Sequence, residues 1–118
     1  MQVRFLGPLG VVTGSCTWMR DTARDWSFLV DCGIQQGEPT QDLWNEATWP
    51  FDPKEIKFVI LTHAHMVHSG LIPALYRKGF KGPVFCTQET QKLAVELLKD
   101  GILHSELPYA PADIERVI

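Results

Sequence analysis

Long apolar runs are missing from this chain. Its uninterrupted apolar stretches are only a handful of residues long, far short of the ~20 needed to cross a bilayer. Arg4 and Gly7 break the first apolar run, so the N-terminus lacks the form of a signal peptide. The expectation is an intracellular, cytoplasmic protein with no membrane partner. Cysteine is scarce: Cys16, Cys32 and Cys86 are odd in number and widely spaced, which argues against a disulfide framework or a cysteine zinc site. Each lies in or beside an apolar segment and is expected to be a buried free thiol. Positive charge is not in excess either, the net charge being −3, which argues against strong autonomous nucleic-acid binding. Arg77, Lys78 and Lys81 form a small basic cluster that reads as a solvated helix end. Repeats, low-complexity segments and linkers are absent. With 118 residues, 45% of them hydrophobic, the chain has the size and composition of a single domain with a real core, spanning 1–118.

Against this background stands one dense stretch, residues 61–70, LTHAHMVHSG, which holds three of the four histidines. The apolar run 58–61 leads into it as a buried strand. Period-two alternation then places His63 and His65 on one face at its end. Neutral imidazole is a common metal ligand, and His68 follows three residues on. Position 67, beside it, is Val67, which has no lone pair to offer a cation. The alternative is three solvated polar side chains. The fourth histidine, His104, reads as a surface residue.

In order, the pattern gives a strand over 2–6, a break at 7–10, an extended segment over 11–19, a polar turn and a strand over 26–32, the last two extended segments forming a hairpin. Residues 33–39 are loop-like, and 44–51 are aromatic-rich without a period. Asp52 is placed as an N-cap with Pro53 at the first helical position, ahead of a strand over 58–62. A helix over 69–78 has Leu71, Ile72, Leu75 and Tyr76 on one face and Gly79 at its end. Ser69 and Gly70 start that helix, where backbone amides favour a phosphate. A strand over 83–86 follows, then a helix opened by Thr87 and ending at Gly101, irregular chain over 102–111, and a helix from 112. Strands alternating with helices imply parallel pairing with crossover helices, joined to the N-terminal hairpin: an α/β fold with a mixed sheet. Trp26, Trp44 and Trp49 read as core rather than base-stacking platforms.

Taken together, segments 3–7 (VRFLG), 12–16 (VTGSC), 29–33 (LVDCG), 61–65 (LTHAH) and 68–70 (HSG) resemble the N-terminal part of the metallo-β-lactamase superfamily. More narrowly they are similar to its β-CASP branch, which includes the endonuclease subunit of the cleavage and polyadenylation machinery, ribonuclease J and bacterial RNA-processing exonucleases. Segments 82–87 (GPVFCT) and 109–118 resemble that branch as well.

The resemblance implies an αββα sandwich, of which this chain is the N-terminal half, and a metal motif of the form HxHxDH. His63 and His65 match the ligands of the first zinc, and His68 matches a ligand of the second. Asp31 matches the aspartate that ends an early strand and orients the surroundings of the metal centre; it also reads as a strand terminator ahead of Gly33. On the resemblance, Asp31 and His68 are the catalytic candidates, and His63, His65 and His68 the metal ligands. Val67 stands where the second zinc's carboxylate belongs, so one zinc ion at most is expected. The family's downstream histidines, bridging aspartate and inserted domain have no counterpart in 1–118.

Two functions follow. One is the N-terminal part of a zinc-dependent hydrolase resembling RNA-processing nucleases, with RNA as substrate, inactive alone. The other is a degenerate, non-catalytic subunit or interaction module with the same fold. In either case a half-sandwich leaves one sheet face apolar, to be covered by a homo-oligomeric copy or a second protein chain.

Overall fold

In a computed structural model, the described residues are 1–6, 14–34 and 49–104, with side chains through Asp100. The readings at 7–13, 35–48 and 105–118, Trp44 among them, lie outside these residues, as does the side chain of His104.

A five-stranded mixed sheet with the order β1-β2-β3-β4-β5 carries the fold. β1 (Gln2–Phe5), β2 (Cys16–Asp21) and β3 (Trp26–Cys32) are antiparallel, while β4 (Ile56–Ile60) and β5 (Val84–Phe85) add in parallel. The α/β expectation is met, including the hairpin and the strand over 26–32. That hairpin closes on Asp21, whose carboxylate accepts from the Ala23 and Arg24 amides at 3.0 and 3.3 Å. Burial pushes the Asp21 carboxyl up, but these amides and the Arg24 guanidinium outweigh it and hold the carboxyl below its ordinary range.

β4 begins two residues earlier than the sequence pattern places it. Asp52 does cap, its side chain accepting from Lys54 N–H at 3.0 Å, but the turn it caps is a single 3-10 turn, Pro53–Glu55, and pairing starts at once with Ile56. The strand also ends early, because the Thr62 amide donates to Asp31 rather than to a neighbouring strand.

Of the expected helix over 69–78, only α2 (Ile72–Arg77) forms, and a break separates it from a short preceding helix that the pattern did not show, α1 (Met66–Ser69). The break has a hydrogen-bonding cause. A continuous helix would bond Leu71 N–H to Val67 O. Instead Leu71 N–H donates to Cys32 O and Val67 O accepts from Ser15 N–H, each at 2.9 Å, so the ends of β2 and β3 intercept the ladder. Pro73 has no N–H with which to repair it. Ser69 therefore ends α1 instead of opening a helix. It is buried, with Oγ donating to Ala64 O at 2.9 Å, and α1 is too short to offer an anion site.

α3 (Gln88–His104) starts where expected, Thr87 Oγ1 accepting from Thr90 N–H at 3.2 Å. It runs through Gly101 and three further residues read as irregular; an interior glycine costs only ~1 kcal/mol. Leu71, Ile72 and Leu75 with Ala94 and Leu98 of α3 cover one sheet face, burying the register partners Leu29 and Val59 completely. The opposite face carries an aromatic row in which Phe28 stacks on Phe58 at 4.7 Å, flanked by Trp26 and Phe85. Val3, Phe5, Ile60 and Phe85 on that face are exposed. This one-sided covering fits half of a sandwich. Trp49 packs partly buried on Phe51. Cys86 departs from expectation: it follows the two-residue edge strand β5 and is exposed, whereas Cys16 and Cys32 are buried free thiols.

Candidate functional site

The site lies at the carboxyl ends of the parallel strands β3 and β4, where open α/β sheets commonly place ligands. Its pivot is a bulge. Cys16 pairs with Cys32 but Thr17 pairs with Val30, which leaves Asp31 as the extra residue. Asp31 has φ +62°, a left-handed conformation that aspartate tolerates better than most residues. Its side chain is buried yet fully engaged. Oδ1 accepts from Thr62 N–H at 2.8 Å, and Oδ2 accepts from Thr62 Oγ1 at 2.6 Å and from Nδ1 of His68 at 2.8 Å. With Nδ1 donating to the carboxylate, the tautomer leaves Nε2 of His68 with its lone pair free.

His63 and His65 leave β4 with buried Ala64 between them, so both rings sit on the exposed side. Strict alternation does not carry them there: Leu61 is buried but Thr62 and His63 are both exposed, so the period-two pattern breaks just past β4. Ring centroids are 4.1 Å apart for His63 and His65 and 5.2 Å for His63 and His68. The backbone behind them is fixed: His65 caps α1, its carbonyl accepting from the His68 and Ser69 amides at 2.9 and 3.0 Å. Ile34 N–H holds Met66 O at 2.9 Å. Gly33 passes so close that a Cβ there would lie 1.7 Å from Val67 O. Only glycine fits.

The structure thus brings Asp31, His63, His65 and His68 together. Among the described residues, no group of three His, Cys, Asp or Glu side chains is arranged to hold a metal ion. The chemistry of the donors nonetheless suits one zinc: three imidazoles, one already turned by a buried carboxylate in the manner of metal-binding histidines. Val67, beside His68, presents a half-buried apolar side chain. Sequence reasoning missed Thr62, which makes two of the three bonds to Asp31. Its place directly before His63 was the available signal.

The family model described as Metallo-beta-lactamase superfamily matches residues 9–116. The chain belongs to the metallo-β-lactamase superfamily. Within it, the chain is similar to Ribonuclease TTHA0252 of Thermus thermophilus, 37% identical over all of this chain and 27% of that protein. It is also similar to the Transcription termination factor FttA of Methanocaldococcus jannaschii, 34% identical over all of this chain and 19% of the factor. The chain therefore spans about a quarter or less of these curated relatives. A solved subclass B3 metallo-β-lactamase with an active-site glutamic acid superposes with a TM-score of 0.53 at 27% identity, covering 77% of this chain and 32% of that one. A second B3 enzyme, from a soil metagenome library, has the same TM-score at 20% identity and shows the fold alone. Among the described residues no helix is long and apolar enough to cross a membrane.

Proposed function

We propose that this chain is the N-terminal part of a metallo-β-lactamase-fold hydrolase acting on RNA phosphodiesters, able to hold one zinc ion through His63, His65 and His68 and inactive on its own. The observation that carries the reading is the 2.8 Å bond from His68 to buried Asp31 beside the other two imidazoles. A solvated cluster has no need of such an anchor. The RNA substrate is supported by the ribonuclease and the termination factor to which the chain is similar.

Bound zinc supplies a polarised water and a Lewis acid toward the phosphodiester. The chain's own contribution is positional. Asp31 keeps the proton on Nδ1 of His68 and fixes the ring, while the bonds from Ser15, Ile34 and Leu71 hold α1 so that the histidines are not left to solvent motion. The remaining ligands come from protein beyond residues 1–118 or from another chain. A second copy or partner covering the aromatic sheet face would complete the layer structure.

Val67 favours the second reading, a non-catalytic subunit of the same fold, because an apolar side chain there removes a cation's compensating charge. The two readings separate in a chimera. This chain is exchanged for the matching segment of the Thermus thermophilus ribonuclease, with Val67 or with Val67→Asp, and both forms are checked for cooperative melting. The folded Val67→Asp chimera is expected to cleave RNA on the order of 100-fold faster than the Val67 form. Equal rates would remove Val67 as the lesion, and a folded but inactive Val67→Asp chimera would contradict the hydrolase reading.

A further inference from the structure

Cys16 and Cys32 are register partners across β2 and β3, with 3% and 0% of their surfaces exposed. The carbonyl of Cys16 is turned away to accept from Leu6 N–H at 2.8 Å, and that of Cys32 accepts from Leu71 N–H at 2.9 Å. The next pair along, Ser15 and Gly33, carries the bond, Gly33 N–H donating to Ser15 O at 2.9 Å. The rung is therefore the non-hydrogen-bonded kind, in which Cα atoms stand ~4.5 Å apart and side chains approach most closely. A disulfide spans Cα separations of about 4.4 to 6.8 Å. A pair of this kind falls within that range.

We propose that Cys16 and Cys32 form a reversible cross-strand disulfide when a peroxide oxidises the protein, a redox modification site directly behind Asp31. One thiolate sulfur attacks a peroxide oxygen, the O–O bond breaks, and a sulfenic acid and water result. The second sulfur then attacks the sulfenic sulfur and expels its oxygen as water. Two thiols and one hydrogen peroxide give one S–S bond and two waters; the sulfurs lose two electrons and the peroxide gains them.

The surroundings set the rate. Burial first, then the Cys16 thiol and the Asp31 carboxylate beside it, push the Cys32 thiol well above its ordinary pKa, so little thiolate is present near neutrality and the reaction is slow. The consequence is local. Cys32 adjoins the bulged Asp31 that holds His68, so the cross-link ties the bulge to β2. Because it needs no metal, the disulfide stands or falls independently of the hydrolase reading.

To test it, exposed Cys86 is first blocked with iodoacetamide on the folded protein. Hydrogen peroxide is then applied with and without urea, remaining thiols are trapped with N-ethylmaleimide, and peptides are mapped. The folded sample is expected to yield Cys16 and Cys32 linked, about 2 Da lighter for two hydrogens lost, and released by dithiothreitol. A Cys16→Ser variant is expected to leave Cys32 trapped as the maleimide adduct or further oxidised, with no linked peptide. Two free thiols in the folded sample, a link formed only in urea, or sulfinic acid without a link would each overturn the proposal.

Discussion

His68 donates from Nδ1 to Oδ2 of Asp31 at 2.8 Å, joining residues 37 apart in the chain. That bond decides which nitrogen of His68 faces outward, and the two simplest replacements of Asp31 separate its structural weight from its effect on the site. Asp31→Ala strands three donors and puts alanine at φ +62°; a loss of ~3 to 5 kcal/mol is expected. Asp31→Asn keeps an acceptor for Thr62 and tolerates the backbone, so ~1 to 2 kcal/mol is expected. Its amide offers a hydrogen to Nδ1, forcing the proton onto Nε2 and weakening zinc binding ~10- to 100-fold. Urea unfolding and zinc titration of the two variants check both halves.

Gly33→Ala brings a methyl to 1.7 Å from Val67 O. The obstacle is backbone held at both ends, so β3 and α1 must part. Destabilisation above ~3 kcal/mol is expected, beyond ordinary overpacking of a core. Thermal melting of the variant decides this, and a loss below ~1 kcal/mol would show that α1 is not clamped as described.

Stability should fall in mild alkali because of Cys32. Its thiol is raised in the fold by burial, so the native state holds a proton that the unfolded chain releases. The contribution is fully present below the unfolded thiol pKa of ~8.5 and is lost above it, as pH rises toward the raised folded value. The slope from this group is at most about 1.4 kcal/mol per pH unit. Melts between neutral and alkaline pH on the natural chain and on Cys32→Ala test it: the variant's curve should decline less steeply, and parallel curves would contradict the assignment.

Val67→Asp in the chain by itself restores no hydrolysis, since one carboxylate does not supply the other ligands that a two-ion centre takes. The check is a phosphodiesterase assay with zinc and with chelator. Metal-dependent turnover in that single variant would show the site to be complete within these residues.

The readable parts of the fold were those fixed by neighbours in the chain. The strand Trp26–Cys32, the Asp52 cap and the Thr87 start of α3 follow from local pattern. What escaped was set by distant bonds. No periodicity announces that Leu71 N–H goes to Cys32 O, so the helix read over 69–78 begins only at Ile72 and the separate turn α1 went unread. The shortening of β4 rests likewise on Thr62 turning to Asp31, and the bulge depends on a register visible only once β2 and β3 pair. The histidines were legible because they crowd into six residues and match a family motif. The resemblance put Asp31 beside the site, but its burial and its bond to His68 were not legible in the sequence.

Zinc stoichiometry tests the proposed site most directly. The protein is washed with chelator, re-metallated and measured by elemental analysis beside its solution mass, with His63→Ala as control. One zinc per chain, lost in the control, is the expected result. Two tightly held ions per chain, or none in protein that melts cooperatively, would contradict a one-ion centre built on His63, His65 and His68.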